Sequence, residues 1–269
     1  MHGQLTVATL NIWNRCGPWA TRLAGIRAGV RALAPDLLGL QEVVAEPPGD
    51  EALDQAALIA EGLGYQVAFG RAPRDVGYPF GNAALSRWPI ARSDVFPLPR
   101  GGTEEYRSLL FTEIDAPFGK VPFFVTHLNW KLHEGSVREL QVREIVDRIK
   151  ALAPLDGFPP ILVGDFNAEP DSDEMRFMRG LCALGGRSVY FSDAFHVAGD
   201  GSKGATFARR NPFAAYAHEP DRRIDYIYTR GPDARFRGEA THARVCFDEE
   251  HEGSFPSDHF GVIAKLTTG

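Results

Sequence analysis

Asp165 and Asn167 sit two residues apart in PPILVGDFNAEP, directly after Ile161, Leu162 and Val163, a branched apolar run that reads as a buried strand. An acid and an amide are odd choices for the tip of a core strand, and the oddity recurs. Asn11 closes LTVATLN, and Glu42 lies near the end of DLLGLQEV. His127 and Asn129 follow VPFFVT at a spacing that puts both on one strand face. Asp225 lies in RRIDYIYTR between Ile224 and Tyr226, where a carboxylate needs a partner or a shifted pKa. Asp258 and His259 open the last strand-like run, SDHFGVIAKL.

Each residue alone has a plain structural explanation. Asn or Asp caps a turn, a lone histidine is a satisfied core residue, and Glu42 is one half of a surface ion pair. Taken together, these explanations require several independent coincidences of one kind, whereas strand ends converging on a cleft require a single cause. The chain has no G-x-S-x-G elbow, no H-E-x-x-H, no P-loop and no Rossmann glycine fingerprint. What remains is carboxylates, carboxamides and two histidines. Oxygen donors of this type suit Mg²⁺ or Mn²⁺, which keeps waters and takes one or two carboxylates plus substrate phosphate. A histidine beside a carboxylate suits activation of water. The set implies metal-assisted hydrolysis of a phosphate ester.

The surrounding pattern must position these groups. Val7, Thr9 and Asn11 alternate with Ala8, Leu10 and Ile12 as in a strand. Leu23, Ile26, Val30 and Leu33 then fall on one helical stripe that Pro35 closes. EALDQAALIAEGLG reads as a second helix with Gly64 as its C-cap. YQVAFG, GNAALSR, SLLFTEI and VPFFVTHLNW read as strands. SVRE is a capping box that starts a helix at Ser136, with Val137, Leu140, Ile145, Ile149 and Leu152 on its apolar stripe and Pro154 beyond its end. Another helix follows Ser172, Gly199 to Pro220 reads as a long loop, and RRIDYIYTR, ATHARVCF and HFGVIAKLTT are strands. About ten strands and four helices result, several strands pairing directly, which predicts two packed, mostly antiparallel sheets with helices outside. No repeat or linker divides the chain, so one domain over residues 1–269 is expected.

Composition narrows the function classes. Of 269 residues, 44% are apolar and 24% charged, as in ordinary globular enzymes. A net charge of −6 gives no general attraction for nucleic acid, so contact with a polyanion must come from a local basic patch or a bound metal. Three distant cysteines, Cys16, Cys182 and Cys246, fit neither a disulfide framework nor a zinc site. No apolar run approaches ~18 residues, so no membrane span is expected. The N-terminus lacks a basic leader region, and a cytoplasmic location is the expectation. Nothing points to an obligate protein partner.

The ordered series TLNIW, LLGLQEV, THLNW, ILVGDFNAEP, RRIDYIY and SDHFGV resembles the endonuclease/exonuclease/phosphatase superfamily from about Thr6 to Val262. Each motif alone is weak, but the ordered set is specific. The resemblance implies a four-layer α/β sandwich and a phosphate-ester substrate, with nucleic acid among the candidates. It implies Glu42 as the principal ligand of Mg²⁺ (or Mn²⁺), Asn11 beside it, and Asp258 as a further ligand or a residue behind one. Asp165 would position or activate the attacking water, and Asn167 would bind a phosphate oxygen. His259, oriented by Asp225, would be the general base or the phosphate-facing electrophile, and His127 would stabilise the transition state or protonate the leaving oxygen. The base stays open between Asp165 and His259.

Having His127 in THLNW resembles the deoxyribonuclease, sphingomyelinase and deadenylase side of the family rather than the abasic-site endonucleases. RRIDYIY stands where inositol 5-phosphatases carry Cys-Asp-Arg, and there is no room for the long hydrophobic hairpin of secreted sphingomyelinases. A solvated loop is the common fate of a charge run such as Arg209, Arg210, Arg222 and Arg223, and phosphate contact is the functional alternative. Arg223, Arg107 and Asn129 are the substrate-binding candidates, with Trp130 and Lys131 shaping the entrance. The expected activity is nuclease-type hydrolysis of phosphodiesters. The alternatives are a phosphoesterase for a lipid-linked or small phosphate and, less favoured because every expected polar position is filled, a non-catalytic binding module.

Overall fold

Apolar alternation along the strands sets three large cores in the computed structural model, which describes residues 3–46, 53–72 and 80–269. The chain runs through β1 (Gln4–Asn11), α1 (Trp19–Leu33), β2 (Leu37–Val44), α2 (Gln55–Ala60), β3 (Gln66–Arg71) and β4 (Phe80–Ser86). It continues through β5 (Ile90–Pro97), β6 (Ser108–Ala116), β7 (Gly119–His127), α3 (Gly135–Leu152), β8 (Ile161–Asp165) and α4 (Asp173–Met178). It closes with β9 (Ser192–Asp193), α5 (Ala194–Ala198), α6 (Pro212–Ala215), β10 (Asp225–Thr229), β11 (Ala240–Cys246) and β12 (Gly261–Thr267).

One six-stranded sheet has the order β11-β12-β1-β2-β4-β3 and the other β5-β6-β7-β8-β10-β9. Leu5, Val7, Val125, Val163, Ile227 and Val262 fill the space between them. On the outer face of the first sheet, Ala8, Leu10, Leu38 and Leu40 pack beneath Ile26 and Val30 of α1 and Ile59 of α2. On the outer face of the second, Phe124, Leu162, Tyr226 and Tyr228 pack beneath Val142, Ile145 and Ile149 of α3 and Phe177 of α4. The order is helix, sheet, sheet, helix, the expected four-layer α/β sandwich. Each fully buried Val, Leu or Phe side chain stabilises it by about 1.5–3 kcal/mol.

Most strand pairs are antiparallel, but each sheet holds one parallel pair, β1 with β2 and β7 with β8. A parallel pair needs a crossover helix. Here α1 and α3 serve, so both strands of each pair finish at the same end of their sheet. The inward faces that carry Val7, Val125, Val163 and Ile227 continue by alternation to Asn11, His127, Asp165 and Asp225. The apolar core between the sheets thus gives way at one end to a polar cluster.

Several local expectations are corrected. The α3 helix starts at Gly135 with Glu134 at its N-cap, whose side chain makes no capping bond, and Ser136 lies one residue inside. Leu140 is exposed, while Gln141 and Val142 are buried, because α3 presents a slightly rotated face. The second helix is only Gln55–Ala60 with Glu61 at its C-cap, so Gly64 lies beyond it. Residues 51 and 52 of that predicted helix lie outside the described residues. Strand β5 escaped the apolar pattern because it is an edge strand with a largely solvated face. The predicted loop from Gly199 to Pro220 contains α6 and is tied down by a bridge between Phe207 and Arg222.

Gly164 is required by a close approach. A Cβ there would lie 1.9 Å from the Thr126 carbonyl oxygen of the adjacent strand β7. Gly164→Ala must therefore push β8 off β7 immediately below Asp165. The expected cost is about 1–3 kcal/mol of unfolding free energy, read from urea unfolding of the variant against the parent. An unchanged midpoint would mean that the two strands can part without penalty.

Candidate active site

Asp165 ends β8 and is 1% exposed. Its neighbours in the sheet are His127 on β7 and Asp225 on β10. Oδ2 accepts a hydrogen bond from Asn11 Nδ2 at 3.0 Å and lies 3.3 Å from His127 Nε2 and 3.7 Å from His259 Nε2. Oδ1 accepts from the Asn167 backbone N–H at 2.9 Å. Asn167 is no longer on the strand; its left-handed φ of 51° turns it back over Asp165, where the Nδ2 donates to the Leu128 carbonyl at 3.1 Å. Phe166 points the other way and packs edge-on against Tyr226 and Tyr228.

His259 Nδ1 lies 3.0 Å from Asp225 Oδ2. Asp225 is fully buried, and its Oδ1 has no hydrogen-bond partner among the described residues. Burial disfavours charge on His259, but Asp225, Asp165 and Asp258 together outweigh it and hold the imidazole well above its usual pKa. His259 is therefore a cation at neutral pH. Burial raises Asp165, with the His259 cation opposing and Asp225 reinforcing the shift. His127 is driven well below its usual value by burial and by the cations of Arg107 and His259, so it is neutral. Arg107 Nη1 can only donate, and it lies 2.9 Å from His127 Nδ1. On its other side, His127 Nε2 lies 3.0 Å from the Asn167 Nδ2 amide and 3.3 Å from Asp165 Oδ2.

Glu42 reaches the same place by a different device. Strict alternation along β2 would send it to the helix side with Leu38 and Leu40. The pairing of β2 with β4 shifts register between Leu40 and Val43, so Gln41 and Glu42 together oppose one residue. Glu42 takes a left-handed φ of 56° at this bulge, a conformation that costs a non-glycine residue about 1–2 kcal/mol. The bulge turns the carboxylate into the cleft. There Oε1 accepts from Asn11 Nδ2 at 3.2 Å and Oε2 from Asn14 Nδ2 at 2.9 Å.

These groups line one open cavity of about 390 Å³. Glu42, Asp258, His127, Asp165, Asn167 and His259 line it, with Trp13, Phe80, Trp130 and Phe207 as aromatic walls. Asp258 is pushed up to about 7 by burial, eased by the His259 cation and reinforced by the nearby Glu42 carboxylate. The Glu42 and Asp258 carboxylates beside the Asn11 side-chain amide fit a hard divalent cation. Asp165, Asp225 and His259 also form a tight group whose donor atoms all lie within 4.8 Å of one another. In that group the cationic ring already holds its Nδ1 to Asp225, an arrangement suited to a phosphate anion and proton transfer.

The profile of the Endonuclease/Exonuclease/phosphatase family matches residues 8–259. The chain belongs to this family. Members of the endonuclease/exonuclease/phosphatase family are divalent-metal-dependent phosphodiesterases and nucleases, and this chain is accordingly a hydrolase. Among solved structures it is similar to an endonuclease/exonuclease/phosphatase from Beutenbergia cavernae DSM 12333, with 27% identity, a TM-score of 0.77, and coverage of 99% of this chain and 72% of that one. It shares its fold with D. rerio TDP2 complexed with a single-strand DNA product, at 20% identity and a TM-score of 0.75, covering 98% of this chain and 99% of that one. The human Nocturnin catalytic domain with bound sulfate is a third, at 20% identity and a TM-score of 0.74, covering 99% and 95%. No match was found among curated proteins. No helix among the described residues is long and apolar enough to cross a membrane.

Around this cavity, Asn11, Glu42, His127, Asp165, Asn167, Asp225, Asp258 and His259 come together, and Arg107 lines it beside His127. Two expected substrate contacts do not. Asn129 lies past the end of β7, so strand alternation no longer aims it. Its amide donates to Glu105 at 2.6 Å and Glu134 at 2.8 Å, none of them lining the cavity. Arg223 is buried in a paired contact with Asp193, at 2.9 and 3.1 Å. Its neighbour Arg222, turned the other way by the bridge to Phe207, lines the cavity instead. Asn14, Trp13, Phe80 and Phe207 went unnoticed in the sequence because they lie in loops or at strand starts, where no periodicity marks them.

The raised pKa of Asp258 has a consequence for the metal-free protein. An acid whose folded pKa exceeds its unfolded one contributes stability below the unfolded value and loses it as pH rises through the folded one. For Asp258 that window runs from about 4 to about 7. Asp258→Asn is expected to raise the apo thermal midpoint more at pH 8 than at pH 5. Equal shifts at the two pH values would remove the assignment.

Proposed function

We propose that the protein is a Mg²⁺- or Mn²⁺-dependent phosphodiesterase of the nuclease type. The observation that carries this reading is Asp165, a buried carboxylate set between a neutral His127 and a cationic His259. Asp165, more basic than an ordinary carboxylate, takes the proton of the attacking water. His259, held by Asp225, donates to the non-bridging oxygens, where negative charge accumulates in the transition state, and the neutral His127 ring lies beside them. The Asn167 amide and Arg107 bind and orient the same phosphate. Glu42, Asn11 and Asp258 would hold a divalent cation, which would supply further neutralisation of phosphate and leaving-group charge.

Aromatic walls and two arginines favour a nucleotide-bearing ester. Aromatic faces stack bases irrespective of sequence, and Trp130 is 56% exposed at the rim. The DNA product bound to the TDP2 of D. rerio supports the same substrate class. The net charge of −6 disfavours long non-specific duplex contacts and fits a short single-stranded segment. A second reading, a lipid-linked or small phosphate ester, draws on Leu132, which is 56% exposed near Trp130.

Labelled single-stranded DNA and RNA, sphingomyelin and inositol phosphates, each incubated with Mg²⁺, Mn²⁺ or EDTA, separate these readings. Oligonucleotide cleavage that requires the metal is expected. Glu42→Gln, Asp165→Asn and His259→Ala are each expected to lower kcat by about 10²–10⁴. Hydrolysis of the lipid or inositol substrates alone would select the second reading. No turnover on any substrate would leave only a binding module.

The pH profile distinguishes the two bases. With Asp165 as base and His259 as cation, Asp225→Asn lowers the His259 pKa, so the alkaline limb of kcat/KM moves to lower pH. If the acid limb moved down instead, His259 would be the base.

A further inference from the structure

We infer that Arg22 is a positioning residue for the metal-facing half of the cleft. Its buried guanidinium clamps the loop after Asn11 to the loop before Asp258. This rests on the metal-dependent reading above and adds a residue that touches neither substrate nor metal.

Arg22 lies in the first turn of α1 and is fully buried. No carboxylate lies within ion-pairing distance of it among the described residues. Every hydrogen bond it makes goes to a backbone carbonyl. Nη1 donates to Ile12 at 2.6 Å and to Pro256 at 3.2 Å. Nη2 donates to Cys16 at 2.6 Å, Asn14 at 3.0 Å and Trp13 at 3.3 Å, and Nε to Cys16 at 2.9 Å. The Trp13 and Trp19 rings flank the guanidinium at 5.1 and 5.3 Å.

A buried guanidinium without a counterion is a poor way to gain stability, since an apolar side chain of similar size would avoid the desolvation cost. What it supplies is geometry. Only a planar fork with five donors can gather carbonyls from two loops at once. Trp13 and Asn14 have left-handed φ values of 55° and 35°, a conformation that side chains seldom adopt. That backbone turns their carbonyls inward to Arg22 and leaves the Asn14 amide facing Glu42. On the other side, the Pro256 carbonyl fixes the chain two residues before Asp258. The Ser257 hydroxyl, bonded to the Asn11 carbonyl at 2.6 Å, secures Asn11 itself. Arg22 secures the residues that follow it.

The charge matters as well. Burial lowers the Arg22 pKa to about 10, against the attraction of Asp258, Cys16 and Glu42, so the group stays a cation at neutral pH. It balances the acid pair from behind without occupying an oxygen of either.

The test compares the metal-free parent, Arg22→Ala and Arg22→Lys. Mn²⁺ affinity is read by calorimetry, and backbone hydrogen exchange by mass spectrometry over residues 12–16 and 254–260. Arg22→Ala is expected to bind Mn²⁺ about 10- to 100-fold more weakly and to lose protection in both segments together. Guanidinium ion at sub-denaturing concentration is expected to restore part of the affinity. Arg22→Lys keeps the charge but has a single donor head, so one segment is expected to stay open. A folded Arg22→Ala with Mn²⁺ affinity within twofold of the parent and exchange changes confined to α1 overturns the inference. If Arg22→Ala does not fold, Arg22→Lys decides on the same readouts, and failure of both to fold assigns Arg22 to global stability and overturns the inference. A parent that binds no Mn²⁺ defeats the metal reading, while the exchange arm still judges the clamp.

Discussion

One buried carboxylate oxygen organises the molecule around it. Asp165 Oδ2 sits where hydration is excluded, and a lone charge there would be costly unless donors surrounded it. Asn11 comes from the first sheet, His127 from the second, and His259 from a loop that returns to the first. Satisfying this oxygen therefore fixes how the two sheets dock. The apolar core between them sets the distance, and the polar cluster at its end sets the register.

Charge order follows from the same centre. His259 lies between Asp225 and Asp165 and is held as a cation, whereas His127, beside Arg107, is held neutral. Two histidines that look alike in the sequence thus acquire opposite protonation states from their neighbours. Strand pairing places Asp225, Asp165 and His127 side by side, and the segments that carry Arg107 and His259 bring the charges that set their protonation.

Much of this was legible in the residue pattern, for a physical reason. Each polar residue at a strand tip has a plain explanation by itself, and it is their recurrence that made Asn11, Asp165, Asp225 and His259 readable as one set; two sheets with helices outside followed from strands interleaved with amphipathic helices, and the four layers from the family resemblance. What could not be read depends on the third dimension. Glu42 was noticed, but the bulge that turns it inward depends on its pairing with β4. Asn129 was misplaced because alternation was extended past the last paired residue. Arg222 and Arg223 are adjacent and chemically identical, and only the bridge to Phe207 and the pairing with Asp193 tell them apart. Arg22 carries no signal in the sequence, since its acceptors are backbone carbonyls that no residue pattern reveals.

The order of the strands has one more implication. Everything in the second sheet, from β5 to β10, is a continuous stretch of chain, inserted between the two segments that build the first sheet. Asn11, Glu42, Asp258 and His259 belong to the outer segments, and His127, Asp165, Asn167 and Asp225 to the insert. Neither part holds a complete site. Turnover is therefore a report on assembly: two half-proteins, each with its own parallel strand pair, become a catalyst only when they close on each other, and any condition that loosens that closure silences the chemistry before it unfolds either half.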